Sequence, residues 1–139
     1  MSASRKSGRH AGPPPSLDDL AALAEQALAA IPHRLARHID NVAIAVEEQA
    51  DDATLQEMGI DSPWDLSGLY RGTPLTERSV QDVARAPDLI MLYRQPILLE
   101  WIETGADLYR LVRNVVVHEV AHYFGFSDAD IAALEQEMG

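Results

Sequence analysis

The chain has 139 residues, a formal net charge of −11 and no cysteine. That length fits one domain with a single hydrophobic core, and the missing thiols exclude disulfides, thiolate metal sites and thiol nucleophiles. The acidity disfavours a broad phosphate-binding face, so no nucleic-acid partner is expected. No apolar run approaches the ~20 residues of a membrane span, so no membrane partner is expected either.

Residues 1–16 are polar and rich in Gly, Ser and Pro, and they read as a disordered tail before a domain over 17–139. Arg5, Lys6 and Arg9 are not followed by an apolar segment, so this stretch does not read as a secretory signal, and a cytoplasmic protein is the expectation. Ser16 is a candidate N-cap, with Asp18 and Asp19 in the first turn where the helix dipole favours them. Leu20, Leu23, Ala24, Ala27 and Leu28 then recur at helical spacing, up to a break at Pro32. Asn41–Glu47 reads as a strand with Val42, Ile44 and Val46 on one face and Ala43 and Ala45 on the other, the small face implying a closely packed helix. Asp51–Trp64 reads as an irregular connection, punctuated by Gly59 and Pro63.

Leu66–Arg71 reads as a second strand, Gly72-Thr-Pro74 as a turn and Asp88–Tyr93 as a third strand, closed by Pro96 with a helical turn beginning near Ile97. Beyond Gly105 the longest helical pattern covers Ala106–Phe124. A last helix carries Ile131, Leu134 and Met138 on its apolar side. The order implies a small α+β domain, with a short three-stranded sheet and helices against one face.

Chemistry concentrates in His118-Glu-Val-Ala-His122-Tyr-Phe-Gly125-Phe-Ser-Asp128. At about 3.6 residues per turn, His118 and His122 stack on one helix face, where two imidazoles can share a cation. Zinc suits imidazole nitrogen and carboxylate oxygen. Glu119 is displaced around the helix from that pair, and it can take a proton from a metal-bound water and pass it to a leaving amine. A third ligand is needed. Gly125 can adopt positive φ and end the helix sharply, returning the chain toward the metal at Asp128. Ser127 and Asp130 have capping-box spacing, which leaves Asp128 spare for the metal. The alternative for Asp128 is an acid that only compensates the helix dipole.

His33 and His38 read as surface or packing residues. Tyr70, Tyr93, Tyr109 and Tyr123 are candidate oxyanion donors, with Tyr93 favoured because it ends the third strand. Trp64 and Trp101 read as core.

The pattern His118, Glu119, His122, Gly125 and Asp128 resembles the H-E-x-x-H-x-x-G-x-x-D signature of minimal bacterial zincin-like metallopeptidases. The segment Gly68-Leu-Tyr-Arg-Gly72 is similar to that family's Gly-Leu-Tyr-x-Gly, and Asp88–Arg94 is similar to the strand before its active-site helix. The resemblance implies a zincin-like α+β fold, a Zn2+ cofactor and a peptide or protein substrate. In zincins an extended substrate pairs with an edge strand of the sheet, and Leu89–Tyr93 is the expected one here. The metzincins, which this chain also resembles, carry a third His where it has Asp128. Two other readings stand beside the peptidase: a metal-dependent endoribonuclease of the kind that matures ribosomal RNA, and a non-catalytic module stabilised by its metal.

Overall fold

The computed structural model describes residues 12–72 and 86–139. Helix α1 spans Leu17–Ala29 and α2 His33–Ala36; strand β1 is Val42–Glu47; α3 is Asp52–Met58, followed by a short 3-10 turn at Pro63–Asp65; β2 is Gly68–Arg71 and β3 Asp88–Tyr93; α4 is Arg94–Thr104, α5 Leu108–Tyr123 and α6 Asp128–Met138. No described helix is long and apolar enough to cross a membrane. The first eleven residues of the expected tail, and Thr73 and Pro74 of the expected turn, lie outside the described residues.

Helix α1 starts where its cap chemistry places it. Ser16 Oγ accepts the Asp19 N–H at 3.0 Å, and the Asp19 carboxylate accepts the Ser16 N–H at 2.8 Å. Pro15 is already part of the domain: it is buried, and its carbonyl accepts Arg94 Nε–H at 2.7 Å.

The sheet has the order β1-β3-β2, with β1 parallel and β2 antiparallel to β3. Val42 pairs with Asp88 and Glu47 with Tyr93; Gly68 pairs with Leu92 and Tyr70 with Ile90. The central place of β3 corrects the expectation that Leu89–Tyr93 is an edge strand. Its backbone bonds on both sides, and its near-continuous apolar run is what a strand buried on both faces requires.

Each face of the sheet carries its own cluster. Ile90 and Leu92 of β3 pack with Tyr70 and with Val42, Ile44 and Val46 of β1 against Leu20, Ala24 and Ala27 of α1 and the valines of α5. On the opposite face Leu69, Met91 and Tyr93 pack with Ala45, Ala50, Leu66 and Leu55 of α3. Helices therefore lie on both faces, not one.

The second layer comes from α3, in the stretch expected to be irregular. Asp51 Oδ1 accepts the Thr54 N–H at 2.8 Å, and Gly59 closes the helix with φ +68°. Its signals, an aspartate three residues before a threonine and a glycine at the end, are short because the helix is short. Pro96 also falls differently. It sits buried in the first turn of α4, where a missing N–H costs nothing, so β3 runs directly into α4.

Truncating Leu92, fully buried in the central strand, to Ala should lower the unfolding free energy in urea by about 2–5 kcal/mol. Ile102→Ala, at a position 73% exposed, should change it by less than about 0.5 kcal/mol.

Candidate active site

Helix α5 carries the paired histidines, and its buried stripe fixes which way they point. Val112, Val116, Val117, Val120 and Ala121 are all fully buried against α1 and the sheet. His118 and His122, off that stripe, are exposed. Their rings lie 5.8 Å apart between centroids and within 18° of parallel, as expected of residues one turn apart.

Glu119 turns toward β2. A Cβ on Gly68 would stand 3.4 Å from Glu119 Cγ and 2.6 Å from Val115 Cγ1. The strand lies this close to α5 only because Gly68 has no side chain. At Gly72, on the same face of the chain, a Cβ would collide with the Tyr123 hydroxyl. The Glu119 carboxyl is thereby desolvated, and burial pushes its pKa up from 4.5 to about 7. Burial is the cause, and among the described residues no charge or hydrogen bond offsets it.

Helix α5 ends as the sequence implies. Gly125 has φ +85°, its N–H donates to the His122 carbonyl at 3.1 Å, and the Phe126 N–H donates to the Ala121 carbonyl at 2.9 Å. This is the paired closure of a Schellman motif. Ser127 then caps α6: its Oγ accepts the Asp130 N–H at 3.1 Å, and the Asp130 carboxylate accepts the Ser127 N–H at 3.4 Å. Asp128 is the first residue of α6, exposed, and takes no part in the cap.

Among the described residues, no three His, Asp or Glu side chains stand close enough to form a cation-binding group. The structure brings His118 and His122 together and sets Glu119 beside them; it places Asp128 on the adjoining turn without closing a triad. The donor types still suit zinc: two near-parallel imidazoles open to solvent, with a carboxylate on the segment that follows.

Two clefts meet at Glu119. One, of about 480 Å³, is lined by His122, Tyr123, Tyr70, Met58 and the ion pair of Arg71 with Glu57. The other, of about 350 Å³, is lined by His118, Gly68 and Asn114 together with Asp65, Glu100 and Glu135. Strand β2 borders both, and among the described residues it is an edge of the sheet.

A family model described as a zincin-like metallopeptidase matches residues 39–138. The chain belongs to that family. No curated protein matches it. The part of this zincin-like metallopeptidase that matches runs from the approach to β1 to the end of α6 and leaves out α1, which nonetheless packs along α5.

Several residues fall elsewhere than the sequence suggested. Tyr93 is 2% exposed, within the cluster on the face of the sheet away from α5, where burial raises its phenol pKa. It cannot serve as the oxyanion donor favoured from sequence. Tyr109 lines a separate cavity with Ala30 and Pro32. The tyrosines beside Glu119 are Tyr70 and Tyr123, stacked 4.1 Å apart. Trp64 is 47% exposed and not core, whereas Trp101 packs against the main cluster. The roles of Gly68 and Gly72 were not read from sequence. Their signal is two glycines four residues apart, one opening β2 and one just beyond it, which marks a close approach on one face.

Gly68→Ala should cost about 1–3 kcal/mol in urea unfolding, because Val115 or the strand must shift. The buried Glu119 carboxyl gives a second expectation for the metal-free protein. Its folded-state pKa, about 7, lies above the usual 4.5, so the native state binds the proton more tightly than the unfolded chain. The resulting stabilisation is present below about pH 4.5 and is lost as pH rises to about 7. Urea midpoints of the metal-free protein should therefore fall across that window relative to Glu119→Gln. Parallel pH profiles for the two proteins would show this carboxyl to be solvated in solution.

Proposed function

We propose that this protein is a zinc-dependent peptidase in which Glu119 is the general base and His118, His122 and Asp128 hold the metal. One observation carries the reading. Beside two near-parallel imidazoles, a carboxyl is desolvated without a compensating partner among the described residues, at the point where two clefts meet along β2. A structural carboxylate would be expected to have a hydrogen bond or a counter-ion.

A divalent cation bound there supplies Lewis acidity and makes water nucleophilic near neutral pH. The chain's own residues do the rest. Glu119, whose ionised form a neighbouring cation would favour, accepts a proton from the attacking water. It delivers that proton to the amine nitrogen as the C–N bond breaks, so one group serves as base and then as acid. An extended peptide adds to β2, the edge of the sheet among the described residues, not to β3, and its backbone then lies between the two clefts. The cleft on the His122 side offers Met58 and the Tyr70–Tyr123 stack to apolar side chains; the other offers carboxylates.

Membership of a metallopeptidase family favours this reading over ribosomal-RNA cleavage, and so does the net charge of −11. The contrast with a metal-stabilised module is experimental. With an unfolded protein or a peptide library as substrate, zinc-loaded wild type should cleave, and a chelator should stop it. Glu119→Gln should lower turnover by roughly 10²–10⁴-fold while metal content stays at the wild-type level. His118→Ala should lose the metal as well. Wild-type turnover in the Gln variant would remove Glu119 from the chemistry.

A further inference from the structure

The turn between α5 and α6 is clasped by aromatic rings on two sides. Phe124 and Phe126 flank Gly125, and both meet the imidazole of His38, which lies between α2 and β1. His38 stacks on Phe124 at 5.5 Å with 27° between planes, and it meets Phe126 edge-on at 5.8 Å and 87°. From another direction Phe124 meets Tyr70 and Tyr123 edge-on, at 5.8 and 5.1 Å. Tyr70 is itself anchored by its hydroxyl, which donates to Asp88 Oδ2 at 2.8 Å.

A glycine at positive φ supplies a bend but little stiffness, since it is the residue with the most backbone freedom. Rings on both of its neighbours, gathered on a third ring, take that freedom away. Such pairs contribute beyond the area they bury. The direction of the turn then decides where the next residues go, and Asp128 is two beyond Phe126.

We propose that His38 is a positioning residue: packed against both Phe124 and Phe126, it holds the Gly125 turn so that α6 starts, at Asp128, on the turn adjoining the His118–His122 pair, from where the Asp128 side chain can join them when a cation binds. This rests on the reading of Asp128 as the third metal ligand. The imidazole pair needs no such help, because both rings stand on one buried-stripe helix. Only the third ligand depends on the turn, so His38 acts on cation affinity through it. The contact is one of ring packing, and a phenyl ring in the same place can make it.

The test measures zinc affinity by chelator competition on folded protein, with thermal midpoints of the metal-free samples recorded alongside. His38→Ala should weaken zinc binding roughly tenfold, at the low end of what supporting residues around metal ligands contribute. His38→Phe should restore it. Phe126→Leu, which removes one of the two ring contacts but keeps an apolar side chain, should move affinity in the same direction by less. Leu55→Ala, in the cluster on the other face of the sheet, should lower the midpoint and leave zinc affinity unchanged. Wild-type affinity in His38→Ala or in Phe126→Leu overturns the proposal. So does an equal loss in Leu55→Ala, which would reduce the effect to general stability. A wild-type chain that takes up no zinc overturns the ligand assignment itself; a failed brace would leave wild-type binding intact.

Discussion

Burial of one stripe of α5 sets the rotation of that helix, and the rest of the site follows from the rotation. Val112, Val116 and Val120 recur at helical spacing, with Val117 and Ala121 beside them, and all are fully buried between α1 and the sheet. Each of these valines is worth on the order of 1.5–3 kcal/mol when removed from water, so turning the helix by one residue would expose several at once. With the rotation locked, residues off the stripe have no choice of environment. His118 and His122 face solvent, and Glu119, at the margin, is pressed against β2.

The second constraint is the separation of α5 from the sheet edge. A strand of ordinary composition would hold the helix further off and admit water around Glu119. Gly68 and Gly72 let the backbone of β2 come within contact of Glu119 and Tyr123, while Tyr70 between them fills the gap by stacking on Tyr123. On its other face β2 is held by Arg71, whose guanidinium donates two bonds to Glu57 and one to Thr54 of α3. Helix α3, in a stretch that reads as irregular, thus braces the strand that desolvates Glu119. At the far end of α6, the buried Arg113 donates to the Met138 carbonyl at 3.2 Å and ties that helix back to α5.

What was legible in the sequence is what local chemistry decides. Ser16 and Ser127 announce their helices through capping boxes, Gly125 ends α5, and the alternation of Val42, Ile44 and Val46 gives β1 its faces. The spacing of His118 and His122 puts both rings on one helix face, and the ring pair has that geometry. What was not legible depends on which segments meet. The apolar run of β3 reads equally as edge or centre until its neighbours are known. Tyr93 sits at the end of the right strand but on the wrong face of it, a distinction one residue of register decides. Helix α3 has only Leu55 and Met58 as large apolar residues, too few for a periodic signal, and its position depends on the second cluster.

The sheet joins distant parts of the chain. Val42 pairs with Asp88 across the whole of α3 and β2, in a parallel ladder whose closure must overcome the entropy of a long loop. The histidine-bearing helix and its reversal, by contrast, are neighbours in sequence and need no such closure. The histidine pair and the desolvated Glu119 therefore rest on contacts of different range in the chain. Two imidazoles on one helix face need only α5 itself, whereas the Glu119 carboxyl loses its water only where β2 is docked against that helix.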